Sequence, residues 1–491
     1  MDQVLRIKNN YLSLTICENR REDDIHKMSN QTKTEKIKLG YTTTRGDDMR
    51  SIWSDEKPRI LTDRKELPQT AEVVIIGAGM AGLLCSYLLK ESGIESIVLE
   101  ANEVCSGQTG NTTAKITSQH GLIYSKLATI FNEETAKRFG RMNERAIDEF
   151  ERIIRGYGID CDFQRCPAYL YTKTESGSRA LERERTEAKK AGIKASLVYE
   201  TELPFPIKVA LKFPNQAQFH PLKFLKEIAK ELNVFEHERV LKVNRNLVIT
   251  EHGRIEAQKI IFATHFPVVN IPGFYFAKMH QERSYVLAVR AEQSELKHGM
   301  YYGIDPDGLS FRRENDVILV GGKSHRTGIQ PCEDPYEALR REVTEFWPEY
   351  EEVANWSAQD CMTLDSLPYI GIYSRWRPNW YVATGFEKWG MTGSMEAAMI
   401  IRDLIMGKAN PYASMVSPQR SWTKQAVCSL MSEGINTLKN FFTIQKPRCP
   451  HLGCRLKWNR YERTWDCPCH GSRFEEDGTL LDNPAQKKLK Q

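Results

Sequence analysis

The sequence predicts an α/β nucleotide-binding domain, interrupted by an antiparallel β-rich insert and followed by a small module bearing cysteines and histidines. Three observations predict it. An apolar strand, a glycine turn, a helix and a second strand follow one another from Glu72 to Glu100. Apolar strand-like runs return to that pattern at Lys259–Thr264 and Trp380–Gly385, after shorter strand candidates between them. Two Cys/His boxes close the chain, at 449–454 and 467–472.

The 491 residues leave room for about two or three domains. A composition of 41% hydrophobic and 27% charged residues is that of a soluble globular chain, and the net charge of +5 is too small and too spread out to argue for nucleic acid. No apolar run reaches the ~18 residues that span a bilayer. Residues 25–36 are polar where a secretory leader has an apolar core, so a cytoplasmic protein without a membrane span is the expectation. Of the twelve cysteines, Cys17, Cys85, Cys105, Cys161, Cys166, Cys332, Cys361 and Cys428 are scattered singly, as reduced thiols are. Cys449, Cys454, Cys467 and Cys469 crowd together with two histidines, which in such a chain reads as a metal site first.

Residues 1–70 are charged and without periodicity, an extended or disordered lead-in, and Met28 is an alternative start. Glu72 to Ile76 is a β-branched run of the kind buried in parallel sheets. A helix from Ala81 to Ser92 and the strand Ser96 to Glu100 complete a βαβ unit. A helix over residues 133–155 carries Phe139, Met142, Ala146, Phe150 and Ile153 on one face. Strands at 169–171, 207–213 and 285–290 and a helix at 221–232 follow. This order gives a nucleotide domain of residues 71–158, 219–278 and 360–410, an insert of 159–218 and 279–359, a linker of 411–445 and a terminal module of 446–491.

Gly77-Ala78-Gly79-Met80-Ala81-Gly82 fits G-x-G-x-x-G in the right context. Gly77 permits the tight turn, Gly79 lets a pyrophosphate approach the backbone and Gly82 lets the helix pack on the strand. The helix N-terminus at Met80 and Ala81 offers free N–H groups to phosphate. Glu100 ends the second strand where a carboxylate accepts from a ribose hydroxyl. The motif alone does not separate FAD from NAD.

The later segments do so by resemblance. Ser106-Gly107-Gln108-Thr109-Gly110-Asn111-Thr112-Thr113, Asp365 to Gly371, and Thr384-Gly385 with Trp389-Gly390-Met391-Thr392-Gly393 resemble the FAD-dependent oxidoreductases of the glycine oxidase and D-amino-acid oxidase family. The resemblance covers about residues 71–410. It implies a Rossmann-like FAD-binding domain with an inserted substrate domain, with Thr109, Thr112 and Thr113 near the flavin. Gly385, Gly390, Met391 and Thr392 then lie at the isoalloxazine end. A helix N-terminus there favours the anionic, reduced ring.

Cys449 and His451 form C-x-H, and Cys467 and His470 form C-x-x-H. Two thiolates on one iron and two imidazoles on the other make a Rieske [2Fe–2S] ligand set, which raises the potential above that of an all-cysteine cluster. Tetrahedral zinc is the rival. The boxes are similar to those of the Rieske proteins of respiratory complexes, a resemblance that implies a Cys454–Cys469 disulfide and a hydrogen bond from Ser472 to a bridging sulfide. Two departures stand out. Phe474 occupies a position where that family often has tyrosine, and the base of strands under the cluster loops looks truncated, with only Phe441 to Ile444 showing strand character.

His120, His220, His265 and His325 are the histidines of note. His325, after a strand and a glycine pair, is the candidate for the flavin face. Tyr285, Tyr301, Tyr302 and Arg312 are candidates for binding a substrate carboxylate, and the resemblance to the family's amine oxidases, which use an arginine for it, implies Arg312. The sequence thus predicts an FAD enzyme that oxidises an amine or amino-acid-like substrate and passes electrons through a Rieske cluster to an unidentified partner. The alternatives are a reductase running the other way and a non-catalytic redox sensor.

Overall fold

The computed structural model describes residues 50–54, 66–441 and 447–489. The Met28 start, Cys17 and most of the expected lead-in lie outside them.

The first sheet is built on the strand Thr70–Ile76, whose Val73, Val74 and Ile75 are fully buried because both faces are covered. It pairs in parallel with Ser96–Leu99 on one side and Arg254–Phe262 on the other. Arg254–Phe262 in turn pairs in parallel with Arg377–Thr384. The helix Met80–Glu91 is buried over most of its length and packs on the sheet and on the helix Gly390–Ile405. Gly82 is required there: a Cβ on it would lie 1.9 Å from the Gly77 carbonyl oxygen. The expected helix at 133 is Glu133–Tyr157. Asn132 caps it by accepting from the Thr135 N–H, Gly158 closes it in the left-handed region, and the five apolar residues of its predicted face are all buried.

The second sheet is the insert. Its nine strands run, in part, in the order Glu351–Thr363, Met279–Arg290, Val317–Arg326, Ser310–Glu314, Met300–Gly303, Gln164–Thr172 and Val209–Gln218. Lys115–Ile116 pairs at its edge, although that pair lies within the segment assigned to the first domain. The terminal module is a third, four-stranded antiparallel sheet: Lys457–Asn459, Thr464–Asp466, Arg473–Glu475 and Leu480–Asp482. Among the described residues no helix is long and apolar enough to cross a membrane.

Three expectations change. Residues 51–54 are not extended: Trp53 is fully buried, donates its Nε1–H to the Thr112 carbonyl at 2.8 Å and lies edge-on to His220. An indole buried on this scale outweighs the polar composition around it. Phe441, expected to begin a strand, ends the helix Lys424–Phe441, and 442–446 lie outside the described residues. Cys332 is disulfide-bonded rather than a free thiol.

Candidate cofactor sites

A long cleft opens where the first sheet ends. Gly77, Gly79, Met80 and Ala81 line it together with Glu100, Thr109 and Thr112. Gly77 has φ +104°, and a Cβ there would stand 2.6 Å from the Ala263 carbonyl oxygen. The turn is braced by side chains. The Glu100 carboxylate accepts the Ala78 N–H at 2.8 Å, and Thr109 Oγ1 accepts the Met80 N–H at 2.9 Å. At Gly79 a Cβ would come within 3.0 Å of that same Thr109 oxygen. This is a cradle that any side chain would narrow, which is what close approach of a pyrophosphate to backbone N–H groups demands.

The far end of the cleft is lined by Gly390 and Met391 at the start of the helix Gly390–Ile405. Gly385, Thr113 and Thr392 do not line it. Gly385 borders a small neighbouring cavity with His120, Phe386 and Trp389. The Thr113 carbonyl accepts from Arg312. Thr392 is buried, its hydroxyl against the Thr117 carbonyl and His120 Nε2. His120 stacks on Trp389, ring centroids 4.7 Å apart, and burial pushes its pKa down to about 3.

Sequence reasoning missed a polar group in the wall of the cleft. Asp360, Glu387 and Lys388 line it. Glu282 pairs with Asp360 across adjacent strands and lies 3.4 Å from Lys388 Nζ. Burial raises Asp360 to about 7, against the pull of Lys388 and with the push of Glu282 and Glu387. No local motif marks these residues; register between distant strands brings them together.

Neither of the two candidate catalytic residues lines the cleft. Arg312 is fully buried, and its guanidinium donates to the Thr113, Ala114 and Phe219 carbonyls and pairs with Glu314. It ties the insert to the loop after the glycine turn, with its Nε alone left without a hydrogen-bond partner. His325 points away from the cleft: its Nε2 meets the Tyr285 hydroxyl at 2.9 Å and its Nδ1 the Arg326 carbonyl. Of the other histidines, His265 lines the cleft, while His220 caps the helix Pro221–Ala229.

In the terminal module the two boxes fold into matching turns. The Gly453 N–H donates to the Cys449 carbonyl, and the Gly471 N–H to the Cys467 carbonyl, each at 2.9 Å. Gly453 and Gly471 take φ of +80° and +84°, which favours glycine at both. The turns bring His451 and His470 to 4.9 Å between ring centroids. The sulfurs of Cys454, Cys467 and Cys469 lie within 4.8 Å of one another, and hydrogen bonds from Cys449, Cys454 and Cys469 hold the Cys467 thiol well below its ordinary range. Cys454 and Cys469, the pair that the resemblance implies as a disulfide, stand as free cysteines in this structure, their sulfurs hydrogen-bonded to each other and to that of Cys467.

The donor set fits a cluster. His451 Nε2 meets Asn270 Oδ1 at 2.7 Å, while Nδ1 of His451 and of His470 are buried without a hydrogen-bond partner. Two buried imidazole nitrogens left bare beside a group of thiols are what a metal centre satisfies. The Ser472 hydroxyl hydrogen-bonds the Cys449 sulfur and accepts the Ala485 N–H.

The two sites share a wall. Thr264 and His265 line the cleft, as do Asp482, Asn483, Ala485 and Gln486 of the module. Phe266, the next residue, stands 6.5 Å from each cluster-box histidine ring.

Comparison with known proteins matches two family models along the chain. Residues 72–404 match the family model of FAD dependent oxidoreductases, and residues 432–491 match that of the Rieske [2Fe-2S] domain. The Bacillus subtilis (strain 168) protein YhfW, whose name describes a Rieske 2Fe-2S iron-sulfur protein, is 33% identical over 86% of this chain and 93% of its own. The gamma-glutamylputrescine oxidoreductase of Escherichia coli (strain K12) is 21% identical over 70% of this chain and 85% of its own. Among solved structures, L-proline dehydrogenase from P. horikoshii superposes with a TM-score of 0.61 at 17% identity, over 72% of this chain and 98% of its own. Glycine oxidase from Geobacillus kaustophilus does so with a TM-score of 0.58 at 17% identity, over 72% of this chain and all of its own.

Proposed function

We propose a function on one premise: the chain belongs to the FAD dependent oxidoreductase family and ends in a Rieske [2Fe-2S] domain. It oxidises an amine or amino-acid-like substrate at a C–N bond and sends the electrons one at a time through its own Rieske centre to an external acceptor. When bound, FAD takes up a hydride and releases single electrons, which a [2Fe–2S] cluster accepts one at a time.

The observation that carries the reading is the wall shared by cleft and cluster boxes, from Thr264 to Phe266. For the substrate, the support is the cleft lining. An amine must lose its ammonium proton before it can give up a hydride, and Asp360, raised to about 7, is a carboxylate able to take that proton near neutral pH. Lys388, 3.4 Å from Glu282, pulls that value down while Glu282 and Glu387 push it up.

The test is anaerobic mixing with a panel of amines and amino acids that includes glycine and L-proline. A compound that bleaches the flavin absorbance should also produce a reduced-Rieske EPR signal in the same molecule. His451→Ala should abolish that signal and leave flavin bleaching intact. Bleached flavin beside a fully loaded, oxidised cluster would refute intramolecular transfer.

A further inference from the structure

The terminal module is short for a Rieske domain, yet its cluster turns do not lack a foundation. The strands Met279–Arg290 and Glu351–Thr363 pair along their whole length, so alternate side chains form one continuous face. Asp360 and Ala358 point to the cleft. Gln281, Arg283 and Gln359, on the opposite face, point into the module. The Gln281 amide donates to the His470 carbonyl at 2.6 Å and to the Asn483 carbonyl at 3.0 Å. The Gln359 amide donates to the Gly471 carbonyl at 2.8 Å. Arg283 donates its Nε–H to Glu462 at 2.8 Å, both side chains being 2% exposed.

Backbone meets backbone beside them. A Cβ on Gly328 would lie 2.4 Å from the Pro468 nitrogen, and one on Gly471 would lie 2.6 Å from Gln281 Cβ. Arg326 clamps the edge, donating to the Pro468 carbonyl and pairing with Glu433 on the helix Lys424–Phe441.

We infer that this face of the insert's sheet is the missing base of the Rieske module, so that the cluster turns are seated on the oxidoreductase domain and held there rather than carried on a mobile arm. Gln281, Gln359 and Arg283 are then positioning residues for the cluster. They reach the backbone of the second box and the strand hairpin beneath it, and none is placed as a ligand.

The inference is independent of the substrate, because it is read with dithionite as reductant. In the full chain, Arg283→Met should lower iron and acid-labile sulfide per FAD by roughly 10- to 100-fold, the usual effect of losing a group that orients metal ligands, while FAD content stays at one per chain. Gly328→Asn provides a second test outside the paired strands: asparagine tolerates the left-handed φ of +77°, and its side chain would press on the Pro468 and Cys467 backbone. It should shift the EPR g-values or empty the site. A protease site inserted at residue 444 of the full protein gives the third measurement: after cleavage the module should co-elute with the flavoprotein in high salt. Unchanged iron and g-values in both variants would overturn the inference. So would a cleaved module that departs with its cluster intact.

Discussion

Removing the Glu462 carboxylate tests the seat energetically. This side chain is 2% exposed and accepts from Arg283, from the Ser357 hydroxyl at 2.7 Å, from the Tyr285 hydroxyl at 3.2 Å and from the Asn459 amide at 3.0 Å. Arg473 approaches it at 3.2 Å but keeps Asp466 and Asp482 as partners. Arg283 would keep no carboxylate nearer than Asp482, at 3.9 Å, beside its hydrogen bonds to Gln359 and Ser357. Glu462→Ala therefore strands a buried guanidinium, a loss worth about 3–5 kcal/mol, or roughly two to three and a half orders of magnitude in the docking equilibrium.

Hydrogen–deuterium exchange of peptides from 447–489 reads that equilibrium directly, and their protection should fall by this factor while peptides of the first sheet are unaffected. Replacing both partners, Arg283→Met with Glu462→Leu, should cost less than Glu462→Ala alone, because no charge is left buried. The pair also has a pH signature. Burial alone would raise the Glu462 pKa, but Arg283 and Arg473 outweigh it and hold the carboxyl below its ordinary range. Its stabilising contribution is thus complete above the unfolded value of about 4.3 and is lost as pH falls below it. Protection that changes by less than about 0.5 kcal/mol in Glu462→Ala, within the range of an ordinary surface substitution, would refute the assignment.

Three further outcomes follow from the sites themselves. Gly79→Val should yield protein without the flavin absorbance, since even a Cβ meets Thr109 Oγ1 at 3.0 Å and valine adds two methyls toward the cleft; full absorbance would displace the pyrophosphate site. Phe474, fully buried, cannot donate a hydrogen bond to a ligand sulfur, so Phe474→Tyr should raise the cluster potential measured by EPR redox titration; a lower or equal potential counts against that account. The rate of flavin bleaching by substrate should rise with pH through about 7 as Asp360 ionises, and Asp360→Asn should flatten that limb. Because the folded pKa is raised, ionising Asp360 costs stability progressively as pH climbs from the carboxylate range toward 7, so the Asn variant should melt less steeply with pH over that window.

What could be read in the sequence was what neighbouring residues decide. The glycine turn, its strands and its acid lie within a few dozen residues, and Gly82 is demanded by its approach to Gly77 in the same turn. The Cys/His boxes are legible for the same reason: their turns close within six residues, by the Cys449–Gly453 and Cys467–Gly471 backbone bonds. The roles given to Arg312 and His325 were not legible, because the strand pattern says that a side chain alternates but not which face meets which neighbour. Arg312 spends its donors on carbonyls some 90 to 200 positions away in sequence, and His325 faces the module through Tyr285. Trp53 escaped notice because its polar surroundings hide a side chain whose burial is decided by the loop at Thr112.

The apparent truncation of the Rieske module has the same origin, and it alters how the two cofactors relate. A search confined to residues near Cys449 finds too few strands, because the supporting surface lies in distant strands: Gln281 and Gln359 stand 189 and 112 positions before the box residues they bond. That surface is the back of the sheet whose front carries Asp360 and Glu282. One pair of strands therefore orients the substrate side of the cleft on one face and the cluster turns on the other. A residue shift in their register would invert both faces together, so the distance between the redox sites is set by strand pairing rather than by the linker. This makes the Met279–Arg290 strand, more than either cofactor motif, the element on which the proposed coupling depends.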